Sequence, residues 1–267
     1  MLPMKRLTRL VVDNEKLSYL LVHQLVRNNA ETLQVLILPF DVDYMTPSVA
    51  MHQLQVLGGR GFGRGHGHRV SQPFDFRSCP NLQFLLNYWC HSHDLFRLPV
   101  SLRKIMLVFD RDAHCYTTTV RQFKRLVNLS EISGDIECCG LENVVRLLRP
   151  VKQLEHLSLS QVLRAPISLM PVIDGLPFLK TLSLSLVRLK HDGLDHISGL
   201  RHLLSLAIDN CGFKWTTNEV RRFLTNRPFA TLTSLTLAVH DVGQVEELVA
   251  QVGAERGSEL QFTNSHY

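Results

Sequence analysis

The stretch from 58 to 69, GGRGFGRGHGHR, holds six glycines, three arginines and two histidines, and these residue types could bind phosphate, RNA or a metal ion. Glycine-rich turns of dinucleotide-binding proteins follow the fingerprint G-x-G-x-x-G. Here Gly61 and Gly63 are followed by His66 at the position of the third glycine, so the fingerprint fails. The G-K-[ST] of a P-loop is also absent from this stretch. We therefore predict no nucleotide cofactor.

Arginine and histidine give the same stretch two further chemistries. Arg60, Phe62 and Arg64 resemble arginine–glycine segments in which arginines contact phosphates and aromatic rings stack on bases. Imidazoles that could hold a metal ion occur at His66, His68, His91 and His93. No tetrahedral Cys/His spacing completes a site, so we predict no metal. Residues 58–77 are interpreted as an irregular Gly/Arg/His-rich insertion loop, with RNA binding as an alternative function.

Residues that could serve catalysis occur just after position 109. DRD at 110–112 brings two carboxylates close together in the sequence, and DAHCY places His114 beside Cys115. A thiol nucleophile activated by its neighbour is not expected, because adjacent side chains rarely point at each other. The motifs G-x-S-x-G, H-E-x-x-H and C-x-x-C do not occur. We predict that the protein is not an enzyme.

Composition narrows the class of protein. The chain has 267 residues, 45% hydrophobic and 20% charged, as in globular proteins. Its net charge of +5 is too small to predict nucleic acid as the main partner. Six cysteines are too few for a disulfide-stapled secreted domain. Asp13 and Glu15 interrupt the apolar N-terminus, and no stretch approaches 18 apolar residues. A cytoplasmic or nuclear protein without a membrane span is expected.

The pattern L-x-x-L-x-L recurs along the whole chain. Its ten copies, with apolar replacements, begin at Leu7, Leu33, Leu54, Leu82, Leu102, Leu129, Leu154, Leu179, Leu203 and Leu232. The spacings of 20 to 29 residues are typical of leucine-rich repeats. In such a repeat the leucines of one short strand point inward, and the chain returns on the outside before the next parallel strand.

The repeat predicts an α/β leucine-rich-repeat solenoid, a right-handed horseshoe of about ten repeats in one domain, 1–267. Its concave side would be a parallel sheet and its convex side mostly helical, since most returns place apolar residues three and four apart. Asp192, Thr217 and Asp241 are predicted helix caps. The sequence GSELQF, residues 257–262, predicts a last, partial strand.

Positions between the leucines are predicted to form the concave surface, because side chains alternate along a strand. In repeats two to five most of these positions are apolar, whereas from the sixth repeat they are small and hydroxylic. Exposed apolar area of this kind usually marks a contact site, so we predict a protein partner here. The predicted partner-binding residues are Val35, Ile37, Val56, Phe84, Leu86, Tyr88, Lys104, Met106, Val108 and Asp110.

The segments CPNLQFLLNYWC and LLSLAIDNCGF resemble leucine-rich repeats of F-box proteins, the substrate receptors of ubiquitin ligases. In both, a cysteine follows the strand, at Cys90 and at Cys211. The resemblance implies a substrate-binding module, with ubiquitin-ligase components as further partners. An F-box has no counterpart, because repeats begin by Leu7, so a truncated relative is an alternative. An inhibitor or sensor of the leucine-rich-repeat type is another.

Overall fold

The fold is built from short parallel strands joined by helical returns. The computed structural model describes residues 6–13, 18–39, 50–59, 76–108, 116–135, 141–160, 169–186, 197, 199–209, 214–225, 231–256 and 260–264. The chain divides into two compact units, residues 1–108 with 114–130, and residues 109–113 with 131–267. The strands are ordered in the sheet as they are in the chain.

Within its described residues, the first unit holds five strands and two helices. Its strands are β1 Arg9–Val11, β2 Val35–Ile37, β3 Val56–Gly58, β4 Phe84–His91 and β5 Lys104–Val108. Its helices are α1 Tyr19–Asn29 and α2 Tyr116–Arg125, with 3₁₀ turns at Phe76–Ser78 and Ser92–Arg97. Each neighbouring pair of these strands is parallel.

The second unit continues the same alternation with more regular helices. Its strands are β6 Glu131–Asp135, β7 His156–Ser160, β8 Thr181–Ser185, β9 Ser205–Asp209, β10 Ser234–Leu237 and β11 Gln261–Asn264. Its helices are α3 Leu141–Leu148, α4 Met170–Gly175, α5 Thr217–Thr225 and α6 Val242–Arg256. All its strand pairs are parallel.

The leucine pattern sets where the strands begin. Each strand from β1 to β10 starts two residues after the first leucine of its repeat, as β2 follows Leu33 and β8 follows Leu179. The first leucines from Leu33 onward are buried, and so are the leucine or isoleucine side chains three residues later. Because one strand cannot cover its own leucines, this core exists only where repeats stack.

Backbone hydrogen bonds join each repeat to the next just before the strands. The carbonyl of Gln34 accepts from the amides of Gln55 and Val56, at 2.8 and 3.0 Å. The same paired contact recurs in the second unit, where the carbonyl of Lys180 accepts from Leu204 and Ser205. These bonds give partners to peptide groups that a lone strand would leave without protein partners.

Strand β4 departs from the regular pattern. Phe84 pairs with Lys104 and Trp89 pairs with Met106, so four residues of β4 lie opposite the single residue Ile105 of β5. Such a bulge ends strict alternation along the strand. The predicted position of Cys90, after the strand, is therefore wrong: its backbone lies within β4 and pairs with Leu107.

The returns agree with the predicted helices at most of the described positions. The amide of Gln244 donates to Asp241 Oδ1 at 3.0 Å, which confirms the predicted cap of α6. The cap of α5 is Thr216 rather than Thr217, because the amide of Glu219 donates to Thr216 Oγ1. Asp192 lies outside the described residues.

The ends of the predicted insertion loop belong to regular structure. Gly58 is the last residue of β3, and Phe76 and Arg77 lie in a 3₁₀ turn with the Phe76 side chain buried. Residues 60–75 lie outside the described part of the chain.

The predicted strand near the C-terminus is present, though shifted. Leu235 pairs with Phe262, so Phe262 and not Leu260 takes a leucine position of that repeat. The fold class, an α/β leucine-rich-repeat solenoid with a parallel sheet, is confirmed by strand order and register. None of the described helices combines the length and apolar character needed to span a membrane.

Candidate functional site: the sheet faces of the two units

In the first unit, one face of the sheet carries side chains that the leucine core does not use. Two rows cross the strands: Val35, Val56 and Phe84 pair in register, and so do Ile37, Gly58 and Leu86. The apolar members of both rows are half-buried, as are Lys104 and Met106 on β5. We call this set of side chains, Val35, Ile37, Val56, Phe84, Leu86, Lys104 and Met106, the apolar sheet face.

Gly58 brings the side chains of this face together. A β-carbon built on Gly58 would lie 3.3 Å from Ile37 Cγ1 and 3.5 Å from Leu86 Cβ. Ile37 and Leu86 therefore flank Gly58 on either side, with no side chain on β3 standing between them in this row. The result is a nearly continuous apolar surface over three strands, and such surfaces usually mark contact sites.

For the remaining predicted site residues the structure describes the backbone alone or nothing. The backbone of Tyr88 falls inside the bulge of β4, so it does not pair with Val108, which holds the same position in the next repeat. Trp89 and His91 pair with Met106 and Val108 instead. Asp110 lies outside the described residues, as do His114 and Cys115. The site prediction did not anticipate this change of register, because bulges leave no mark in the leucine spacing.

The apolar sheet face has an apolar neighbour on β1 that the site prediction left out. Val11 on β1 pairs with Ile37 and is 47% exposed. It stands four residues after Leu7, as Ile37 stands four residues after Leu33. Applying the same spacing rule to the first repeat would have found it.

The second unit presents a different surface at the equivalent positions. Its strands carry hydroxyl side chains in register, and all of these are at least partly exposed: Ser133, Ser158, Ser160, Thr181, Ser183, Ser185, Ser205, Ser234 and Thr236. This agrees with the predicted change from apolar to hydroxylic residues after the fifth repeat. Hydroxyl groups remain hydrated when exposed, so this face lacks the apolar area of the first unit.

Polar contacts on this second face include a histidine–hydroxyl pair. His156 Nδ1 and Thr181 Oγ1 lie 3.0 Å apart, the distance of a base from a hydroxyl nucleophile. However, Glu155 Oε2 is 3.9 Å from His156 Nε2, too far for the hydrogen bond that orients a catalytic histidine. Glu155 pairs instead with Lys180 at 2.7 Å. The group is therefore a surface contact between repeats and lacks a complete catalytic geometry.

Metal sites and groups with a shifted pKa are two further kinds of chemistry that the described residues could provide. Among them, no three His, Cys, Asp or Glu side chains are grouped to hold a metal ion. Cys79 is a buried cysteine at the start of the fourth repeat, 3.7 Å from the hydroxyl of Ser78. Burial raises the pKa of Tyr19 above its usual value of 10.0, but this residue belongs to α1 and not to a sheet face.

Comparison with known proteins adds a likeness in structure alone. No family model and no curated protein matches the chain. Among solved structures, an internalin (inlF) from Listeria monocytogenes is similar, with a TM-score of 0.48 and 15% identity. The match covers 91% of this chain and 69% of the internalin chain. The fold assignment therefore depends on this chain's own strand register and buried leucines.

Proposed function

We propose that the protein is a recognition module that binds a protein partner through the apolar sheet face. The observation that carries this proposal is the pair of in-register rows around Gly58, where Ile37 and Leu86 flank a position that has no side chain. A partner that covers half-buried Phe84 and Ile37 would remove apolar surface from water, and this is the main driving force of association.

A binding role agrees better with the described geometry than a catalytic role. Catalysis needs a nucleophile, a base and an orienting group within hydrogen-bonding distance of each other. The His156–Thr181 pair lacks the third contact, since Glu155 bonds to Lys180. Among the named side chains of the apolar sheet face, only Lys104 carries a group that could take part in acid–base catalysis, its amine.

A finer proposal concerns the partner. The resemblance of the repeats to those of F-box proteins supports a substrate of a ubiquitin ligase as the ligand, in the cytoplasm or nucleus. On this proposal the chain would be recovered with ligase adaptor and cullin proteins as well as with the substrate. The support is the sequence resemblance, in particular CPNL before β4 and the helical returns.

The test compares matched charge insertions in the two sheet faces. Ile37→Glu with Phe84→Glu places two carboxylates on the apolar sheet face, four and two residues after their first leucines. Ser183→Glu with Ser205→Glu places them at the same repeat positions on the hydroxyl face of the second unit. The tagged full chains are expressed in cells, and recovered proteins are quantified by mass spectrometry.

The expected result is that partners recovered with the natural chain fall by about tenfold with the first pair and persist with the second, because burying an unpaired carboxylate is costly. Phe84→Ala, with unchanged circular dichroism, is the second variant in case the charged one unfolds. Equal recovery by Phe84→Ala and the natural chain would refute the proposed site. Recovery of a partner without adaptor or cullin peptides would refute the ligase proposal alone.

A further inference from the structure

The chain's positive charge is concentrated between residues 94 and 130. Residues 94–130 contain seven Lys or Arg and three Asp, a net charge of +4 against +5 for all 267 residues. In the described segments 95–108 and 116–130, there are six cations and no carboxylate: Arg97, Arg103, Lys104, Arg121, Lys124 and Arg125. This concentration favours a partner of opposite charge.

Exposed apolar side chains occur in the same segments. Phe96 is 41% exposed, Val100 is 49% exposed and Val127 is 62% exposed. The guanidinium carbon of Arg97 lies 5.0 Å from the centroid of the Phe96 ring, within cation–π distance. Each of these residues would be ordinary alone, but together they combine apolar area with positive charge.

Hydrogen bonds hold the segments that carry these side chains against each other. Arg125 Nη2, at the end of α2, donates to the carbonyls of Phe96 and Leu98 at 3.1 and 2.8 Å. Asn128 Nδ2 donates to the carbonyl of Val100 at 3.0 Å. The 3₁₀ turn before β5 and the end of α2 therefore lie against each other. We call the side chains that these segments carry the basic–apolar patch: Phe96, Arg97, Val100, Arg121, Lys124 and Val127.

We propose that the basic–apolar patch binds an acidic segment of a partner protein that carries apolar anchor side chains. Carboxylates of such a segment would be attracted to Arg121 and Lys124, exposed one turn apart on α2. Its apolar side chains would cover Val100 and Val127, which a nucleic acid phosphate chain would leave exposed to water. This surface is separate from the apolar sheet face, and the proposal does not depend on it.

The experiment measures fluorescence anisotropy of labelled probes with the purified full chain. The main probe is a short peptide of glutamates interrupted by two phenylalanines. Three comparison probes are an all-glutamate peptide, a polyuridine RNA and phosphatidylserine vesicles. The variants are Arg121→Glu with Lys124→Glu, and Val127→Ser. The matched control is Lys152→Glu with Arg201→Glu, which reverses two exposed cations at repeat turns of the second unit.

The expected result is that the phenylalanine-containing peptide binds best. Its affinity should fall about tenfold when Arg121 and Lys124 are reversed, and severalfold with Val127→Ser. The control pair should bind within about twofold of the natural chain. Added salt should weaken binding, since the charges are exposed.

Three outcomes would overturn the proposal. Equal binding of the all-glutamate peptide would show that the apolar side chains have no role. Tighter binding of RNA or vesicles would assign the patch to another class of partner. An equal loss in the variants and in the control pair would show a general effect of net charge.

Discussion

Adding even a methyl group at Gly175, the last residue of α4, should destabilise the protein. A β-carbon built there would lie 2.4 Å from Val145 Cγ1 on the neighbouring helix α3. Carbon atoms pack at roughly 3.5–4.0 Å, so the two groups cannot coexist without movement. Val145 is 1% exposed and packed on all sides, and its branched side chain has little room to rotate away.

The magnitude follows from two opposing effects. Overpacking a buried contact costs about 1–3 kcal/mol. Replacing glycine by alanine at a permitted backbone conformation stabilises the folded state by about 0.4–1 kcal/mol, because the unfolded chain loses conformational entropy. Gly175→Ala should therefore lower the free energy of unfolding by about 1–2 kcal/mol, and the melting temperature by about 2–8 °C.

The assay is urea unfolding followed by circular dichroism, with Gly58→Ala as the control. There the nearest atom to the new methyl is Ile37 Cγ1 at 3.3 Å, so a small adjustment accommodates it and stability should change little. In a Val145→Ala background, Gly175→Ala should no longer destabilise, because the clashing methyl is gone. If Gly175→Ala costs the same in both backgrounds, the close contact between α3 and α4 is not the cause and the packing described for these helices is wrong.

Two further predictions concern contacts that join the returns to the repeats. Arg125→Lys keeps the charge but should lower the free energy of unfolding by about 1–3 kcal/mol, because lysine cannot replace the contacts to the carbonyls of Leu95, Phe96 and Leu98. Amide hydrogen exchange of residues 95–98 should become faster for the same reason. Unchanged exchange would contradict the role assigned to Arg125. Thr216→Ala should lower the free energy of unfolding by about 0.5–2 kcal/mol through loss of the α5 cap, whereas Thr217→Ala should cost less. The urea midpoints of the two threonine variants test this assignment. A larger loss for Thr217→Ala than for Thr216→Ala would identify Thr217 as the cap.

Much of the fold follows from residue spacing because the repeat is local. The position of each first leucine predicts its strand start to the residue from β1 to β10, since the same short pattern meets the same neighbours each time. The shorter repeat between Leu82 and Leu102 returns through a 3₁₀ turn rather than a longer helix, as its length requires. The cap of α5 was missed by one residue, because Thr216 and Thr217 have equal propensity to cap.

The candidate sites were less accessible to prediction. Alternation along the strands placed Ile37, Val56 and Phe84 on one face, and the register agrees. The bulge in β4 removed Tyr88 from its predicted row, since it depends on pairing with β5. The basic–apolar patch was not anticipated, because it joins residues nearly thirty positions apart, such as Asn128 and Val100.

The amino-acid sequence by itself determined the number and start of most strands and the identity of the core leucines, because these depend on spacing within one repeat. Only the tertiary structure decided where β4 bulges, how closely Gly175 approaches Val145, and which cations and apolar side chains share a surface. Those features arise between repeats, where the packing of one side chain depends on residues one full turn of the chain away.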